Sequence, residues 1–236
     1  MKASHPNLIP CIVLSFLSTL SLSLHFLSEQ FWGWSYFITT PLKVSLLLLL
    51  ILSYRRWVNL SGRRRPRPLM SKSFEIPLRG MAFGALGSGL LIFFYSSIGQ
   101  YIDFSVILQE LQTESKIDLV NFIFIACYIA LFNSFLEEYF FRGFLLASFK
   151  DLGYATFGIH LSAILFAIYH VGIFLRWFEW PIIVLSVFGL YLGGLIFTRI
   201  NSPSGHILNS WIAHIMLNIA IILIAADAFQ WISLGF

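Results

Sequence analysis

The sequence predicts an all-α fold, a polytopic bundle of about seven to eight transmembrane helices. Hydrophobic residues make up 58% of the 236 residues, and charged residues make up only 11%. Soluble domains carry roughly 25% charged residues, because charge is what covers a water-exposed surface. Apolar stretches of about 20 residues, the length that crosses a bilayer, recur along the chain. These observations exclude a water-soluble protein and predict a single transmembrane domain over residues 1–236.

The N-terminal half, residues 1–115, supplies three predicted spans. The first runs from Leu8 to Leu27 and lacks a small-residue cleavage motif, so we interpret it as a retained helix. The second ends at Tyr54, and Lys43 lies near enough to its start to snorkel to the interface. The third runs from Met81 to Gly99. It follows small-xxx-small spacing, which permits close helix packing, at four glycines: Gly80, Gly84, Gly87 and Gly89.

The segment Arg55–Arg79 is predicted to be an exposed basic loop. It holds eight of the fifteen basic residues and one acid, a local charge of +7, whereas the rest of the chain sums to −3. Basic loops between apolar helices mark the cytoplasmic side, so we expect the N-terminus and this loop to be cytoplasmic. The 28–36 and 100–118 loops are then outside. The charge therefore predicts orientation in the lipid bilayer, and no nucleic-acid partner is expected.

The C-terminal half, residues 118–229, supplies the remaining predicted spans. They are Asp118–Lys150, Ala155–Leu175, Pro181–Thr198 and His206–Phe229. The first of these has about 33 residues, more than a bilayer needs, so we expect it to tilt, protrude or bend. A short turn, Asp151–Tyr154, precedes the next span, and the pair Gly189 and Gly193 predicts a helix contact face on the third.

Several polar residues interrupt these apolar helices, where ionisable groups are costly and hence candidates for function. They are Asn133, Glu137, Glu138, Arg142, His170, His214 and Asn218. The other four histidines, His5, His25, His160 and His206, lie near helix ends or interfaces, and we interpret them as structural or incidental.

Spacing assigns these polar residues to faces. Glu138 and Arg142 are i,i+4, so they share one helix face and can form an ion pair, whereas Glu137 points about 100° away. Glu137 and His170 are equidistant from the turn Asp151–Tyr154, which predicts similar heights on antiparallel helices. His214 and Asn218 are also i,i+4. One carboxylate, two imidazoles and one carboxamide are thus predicted to meet in an intramembrane active site.

Two chemistries are open to these four residues, Glu137, His170, His214 and Asn218. In the first, Glu137 takes a proton from water that His170 helps to hold, while His214 and Asn218 donate hydrogen bonds to an oxyanion. In the second, Zn²⁺ is bound by Glu137, His170 and His214, with one position open for water. The residue pattern does not distinguish a mechanism without a cofactor from one that uses Zn²⁺.

Three motifs in order resemble one family. The motifs are Glu137-Glu138-x-x-x-Arg142, Phe166-x-x-x-His170 and His214-x-x-x-Asn218. Together they resemble the EExxxR, FxxxH and HxxxN/B motifs of the CPBP intramembrane proteases, the family of type II CAAX-prenyl endopeptidases and bacterial Abi proteins.

The resemblance implies a helix bundle with its active site inside the membrane. We expect that membrane to be a prokaryotic cytoplasmic membrane. It implies Glu137 as the catalytic glutamate with His170 assisting, and Glu138 and Arg142 as supporting residues. His214 and Asn218 would form the oxyanion site or, in the metal mechanism, include a ligand. The implied activity is endoproteolysis of a membrane-anchored protein or peptide, with prenylation of the substrate left open.

Other functions make different predictions. A non-catalytic binding or immunity protein would use the same polar pocket to hold a partner helix. A b-type haem carrier would use His170 and His214 as axial ligands but leaves the glutamates unexplained. A transporter is disfavoured because no inverted repeat is visible. The HExxH, GxSG and paired-Asp patterns of other intramembrane proteases do not occur.

Overall fold

The computed structural model describes residues 8–32, 34, 36–60, 77–113, 117–202 and 205–235. Every regular element within these ranges is helical, which confirms the predicted all-α fold. The helices are α1 (Leu8–Gln30), α2 (Tyr36–Leu60), α3 (Leu78–Ile98), α4 (Phe104–Thr113), α5 (a continuous run from Leu119 to Asp151), α6 (Ala155–Tyr169), α7 (Val171–Trp177), α8 (Trp180–Asn201) and α9 (Leu208–Ala228).

Seven helical stretches in the described ranges are long and apolar enough to cross a membrane. They correspond to α1, α2, α3, α5, the α6–α7 pair, α8 and α9, and they confirm a multi-pass membrane protein. Most of the predicted basic loop, residues 61–76, lies outside the described residues. The predicted orientation and prokaryotic membrane, and the interpretation as a single transmembrane domain, stay predictions.

Two predicted boundaries were wrong. Helix α2 does not end at Tyr54 but continues to Leu60, so Arg55 belongs to a helix and donates a hydrogen bond to the Tyr139 hydroxyl over 3.2 Å. The polar segment 100–118, predicted as a loop, contains α4. Asp103 starts this helix by accepting hydrogen bonds from the backbone and side chain of Ser105, which also lower the pKa of Asp103.

Helix α5 contains two π-helical segments. Its α-helical start, Leu119–Cys127, is capped by a reciprocal pair of hydrogen bonds between Asp118 and Asn121, close to the predicted start. The π-helical segments are Tyr128–Asn133 and Tyr139–Leu146, and they flank the α-helical turn Ser134–Glu138. The two candidate glutamates therefore lie between two local departures from α-helical geometry, a type of distortion that is frequent at functional sites.

The predicted span Ala155–Leu175 is interrupted at His170. Helix α6 ends at Tyr169 and α7 begins at Val171, and the backbone of His170 joins them in a turn. The side chain of Gln30 in α1 donates to the carbonyl of Gly172 over 2.9 Å. A side chain at Gly172 would begin 3.3 Å from Phe26, so the glycine lets α1 lie close to the bend.

The chain divides into two compact units, each built from separate stretches of sequence. The first comprises Met1–Leu69 and Tyr139–Thr198, and the second comprises Met70–Glu138 and Arg199–Phe236. In the first unit the core is aromatic, and its largest fully buried side chains are Phe140, Phe141, Phe144 and Phe149. Lys43 also belongs to this unit and is 6% exposed, so it is buried and does not snorkel as predicted.

In the second unit α3 packs on α9 through glycines. A Cβ at Gly80 would overlap the carbonyl oxygen of Asn209, and one at Gly84 would lie 2.6 Å from the sulfur of Met216. Gly87 is similarly close to α9. The predicted packing role is confirmed for these three glycines, whereas a Cβ at Gly89 would meet nothing within 4 Å.

Candidate active site

Glu137 lies in the second unit and is almost completely buried, at 2% exposure. The side-chain amide of Asn133, one turn earlier in α5, donates a hydrogen bond to Oε1 of Glu137 over 2.6 Å. Nε2 of His214 in α9 lies 3.8 Å from Oε2 of Glu137. The two carboxylate oxygens therefore face two different polar groups, an amide donor and an imidazole.

His214 lies between two glutamates. Its Nδ1 is 3.1 Å from Oε1 of Glu138, while its Nε2 faces Glu137. An ionised carboxylate only accepts hydrogen bonds, so an ionised Glu138 holds the proton of the ring on Nδ1. With that proton in place, Nε2 accepts a hydrogen bond when the ring is neutral and donates one when the ring is protonated. Glu138 thereby orients the atom of His214 that faces Glu137.

The first π-helical segment of α5 is held by donors from α9. The indole Nε1 of Trp211 lies 3.2 Å from the carbonyl oxygen of Leu131 and 3.1 Å from Oγ of Ser134. The amide of Asn218 donates to the carbonyl of Ile129 over 3.2 Å, using one of its two N–H groups. The register of α5 one turn before Glu137 is therefore set by α9.

His170 lies in the first unit, at the turn between α6 and α7. Its Nδ1 is 2.8 Å from the carbonyl oxygen of Phe166. Because a carbonyl only accepts, Nδ1 carries the proton, and Nε2 of the neutral ring is an acceptor. The ring packs edge-on between Phe166, with centroids 4.8 Å apart, and Tyr169, with centroids 5.0 Å apart. This arrangement suits an imidazole that accepts a proton of water or binds a metal through Nε2.

Arg142, also in the first unit, is surrounded by aromatic rings. Its guanidinium carbon lies 4.2 Å from the ring centre of Phe166, 5.2 Å from that of Phe197 and 5.9 Å from that of Phe141. Such contacts stabilise a buried cation through the negative face of each ring. The motif residue Phe166 thus contacts both Arg142 and His170.

Residues 119–220 match the family model described as type II CAAX prenyl endopeptidase Rce1-like. The predicted family resemblance is confirmed for this segment. The matched segment contains α5 to α8 and more than half of α9, with all six predicted site residues and Asn133. No curated protein and no solved structure matches the chain.

The structure brings together part of the predicted site within one unit. Glu137, Glu138 and His214 are close to one another in the second unit, whereas His170 and Arg142 belong to the first. The predicted proximity of Glu137 and His170 and the predicted ion pair of Glu138 and Arg142 stay predictions. The hairpin that motivated the first of these does form.

Within the first unit, Phe141 and Phe166 face each other with ring centres 5.4 Å apart, and their sequence midpoint falls in the turn Asp151–Tyr154. The hydroxyl of Ser162 donates to the carbonyl of Phe141 over 2.8 Å, which connects the same two arms. The antiparallel register expected of this hairpin is therefore present between the part of α5 after Glu138 and α6.

Two side chains of the second unit have donor atoms of the kind that bind zinc. Nε2 of His214 and Oε2 of Glu137 are adjacent donor atoms, and the contact of Nδ1 with Glu138 is the second hydrogen bond that a zinc-binding histidine commonly makes. Among the described residues, no group of three His, Cys, Asp or Glu side chains is arranged to hold a metal ion. The predicted set of Glu137, His170 and His214 stays a prediction.

Sequence reasoning missed Trp211 and the aromatic surroundings of Arg142. The spacing of Trp211, three residues before His214, placed it on the same face of the last helix and is the one signal that pointed to it. The predicted contact face at Gly189 and Gly193 was wrong for the part of the chain that the structure describes, where a Cβ at either glycine would meet nothing within 4 Å. The close approach is instead at Gly194, where a Cβ would lie 3.0 Å from Ala163 and 3.3 Å from Nη2 of Arg142.

Proposed function

We propose that this protein is a CAAX-type intramembrane endopeptidase that cleaves a peptide bond in a membrane-associated protein or peptide. The observation that carries the proposal is the buried carboxylate of Glu137, which has Asn133 on one oxygen and His214 facing the other. A carboxylate in an apolar helix is costly, and its placement beside an oriented imidazole is a typical arrangement for general acid–base chemistry. The Rce1-like match of the surrounding segment supports the same activity.

In the proposed reaction, Glu137 accepts a proton from a water molecule as the water oxygen attacks the carbonyl carbon of the scissile bond. The tetrahedral intermediate carries an oxyanion, which the protonated ring of His214, through Nε2, and the amide of Asn218 stabilise by hydrogen bonds. Glu137 then returns the proton to the leaving nitrogen, the carbon–nitrogen bond breaks, and a carboxyl and an amino terminus are released. Asn133 orients Glu137, and Glu138 orients His214.

His170 takes the role that the family resemblance implies, which is to help hold the attacking water through Nε2. Its tautomer supports this role, because the contact of Nδ1 with the Phe166 carbonyl leaves Nε2 as an acceptor. A bound Zn²⁺ would instead supply a metal-activated water. Metal analysis of the purified protein, together with activity after chelation, tests this second form of the proposal.

The decisive experiment compares the wild type with Glu137→Gln in lipid nanodiscs. The probe is a farnesylated peptide that ends in a Cys-aliphatic-aliphatic-X sequence, assayed beside the same peptide without the lipid, with products identified by mass spectrometry. We expect Glu137→Gln to lower the cleavage rate by about 10²–10⁴-fold. The matched control is Glu179→Gln, because Glu179 is an exposed glutamate at the start of α8.

Equal cleavage by the wild type and Glu137→Gln would overturn the assignment. If Glu137→Gln loses cleavage, a comparison of membrane-protein termini in cells expressing either form identifies the substrate. If the biological phenotype survives both Glu137→Gln and His170→Ala, the non-catalytic binding or immunity function explains the pocket better. Cleavage of the farnesylated probe alone would assign a prenylated substrate.

A further inference from the structure

A buried polar cluster surrounds Tyr169, the residue directly before His170, in the first unit. Lys43 lies in the first third of the membrane-spanning helix α2 but is only 6% exposed, and its Nζ donates a hydrogen bond to the hydroxyl of Tyr169 over 2.8 Å. The ammonium group also lies 5.4 Å from the centre of the Tyr169 ring. Lys43 therefore contacts the residue directly before His170.

Tyr169 connects this cluster to His170. Its ring packs against His170 at 82°, with centroids 5.0 Å apart, and stacks on His25 of α1, with centroids 5.7 Å apart. The ring also approaches Phe141, at 6.2 Å. Tyr169 is thus enclosed on several sides, and its hydroxyl is the end that Lys43 holds.

Lys43 has an acidic neighbour within the same unit. Nε2 of His25 lies 3.4 Å from Oε1 of Glu29, and both Lys43 and Arg176 act electrostatically on that carboxyl group. Arg176 also donates to the backbone carbonyl of Glu29. Glu29 at the end of α1 therefore lies among basic side chains, and Lys43 belongs to this polar group.

We propose that Lys43 and Tyr169 are positioning residues for His170. The inference rests on the proposed function, in which His170 helps to hold water. His170 lies in the turn between two helices, and its ring must keep one orientation for Nδ1 to reach the Phe166 carbonyl. Phe166 and Tyr169 contact the ring, and Lys43 holds Tyr169 in place.

A purely structural role would not require these residue types. An apolar pair of similar volume would fill the same space without the cost of removing an ammonium group from water. The hydrogen bond between Lys43 and Tyr169 adds a fixed direction that apolar packing lacks. His170 is the neighbour of Tyr169 whose tautomer and orientation enter the proposed chemistry. The fixed direction of the hydrogen bond therefore matters to His170.

The test uses Lys43→Met, Tyr169→Phe and the double variant in the full-length protein in nanodiscs. Each single variant keeps the bulk of its side chain and removes one end of the hydrogen bond. Lys150→Met is the matched control, because Lys150 is an exposed lysine in the last turn of α5. The first readout is ¹⁵N NMR of histidine-labelled protein, with the His170 signals assigned by loss in His170→Gln. This readout is independent of any substrate.

In the wild type and Lys150→Met we expect His170 signals of a single tautomer with the proton on Nδ1. In Lys43→Met, in Tyr169→Phe and in the double variant we expect a mixture of the two tautomers of His170. With the farnesylated peptide as probe, we expect kcat to fall about 10-fold with KM unchanged, and the double variant to lose no more than either single variant. Lys43→Arg, which keeps a charged donor, should recover most of the rate.

Unchanged His170 signals in Lys43→Met and Tyr169→Phe would overturn the inference, as would additive losses in the double variant. Failure of the wild type to cleave the probe would count against the proposed function, while the NMR comparison would still decide whether Lys43 and Tyr169 position His170. A lower unfolding temperature with unchanged His170 signals would show a structural role only.

Discussion

Nδ1 of His214 lies 3.1 Å from Oε1 of Glu138, which makes the second glutamate of the motif a partner of a histidine 76 residues away. The spacing of the motif predicted only an ion pair with Arg142, four residues along the same helix. Through this contact Glu138 orients the ring whose other nitrogen faces Glu137.

Replacement of Glu138 should therefore affect the rate in a graded way. Glu138→Gln keeps an oxygen that accepts from Nδ1 of His214, and we expect about a 10-fold loss of kcat. Glu138→Leu removes the acceptor, and we expect a loss of about 100-fold. Cleavage of the farnesylated peptide in nanodiscs measures both. If Glu138→Leu retained the wild-type rate, the orienting role of Glu138 would be wrong.

The donors on α9 should stabilise the π-helical segment before Glu137. Trp211→Phe keeps a ring that can pack on Phe135, with centroids now 5.2 Å apart, but loses the N–H that reaches Leu131 and Ser134. We expect a loss of about 1 kcal/mol in the free energy of unfolding and a lower kcat. Thermal unfolding and cleavage assays measure the two effects.

Trp180→Phe is the control for this change, because Trp180 is 70% exposed at the start of α8. It should leave both the unfolding temperature and the rate as in the wild type. If Trp211→Phe and Trp180→Phe had the same unfolding temperature and the same cleavage rate, the stabilising role of the indole hydrogen bonds would be wrong.

Two adjacent glycines in α8 should respond differently to replacement by alanine. Gly194→Ala places a Cβ 3.0 Å from Ala163 and 3.3 Å from Nη2 of Arg142, so we expect a loss of about 1–3 kcal/mol in the free energy of unfolding. Gly193→Ala meets nothing within 4 Å and should be neutral or slightly stabilising. Thermal unfolding in detergent compares them, and equal unfolding temperatures would show that the packing at Gly194 is not restrictive.

Hydropathy and spacing were sufficient to predict the membrane spans and to select the motif residues. The long apolar segments were predicted with most ends within a few residues, since the length that crosses a bilayer and the residues that end a helix are local properties. The exceptions have other causes. Helix α4 is too short and polar to resemble a span. At the bend around His170, Gln30, which is distant in sequence, donates a hydrogen bond to the carbonyl of Gly172.

The partners of the polar residues were not local, and only the tertiary structure decided them. The sequence by itself determined that Glu137, Glu138, Arg142, His170 and His214 are unusual in apolar helices. Packing decided that His214 lies between the two glutamates, that aromatic rings surround Arg142 and that Lys43 is buried against Tyr169. The physical reason is that a buried polar group must find its partner among whichever helices pack beside it, and helix rotation and π-helical turns decide which side chains those are.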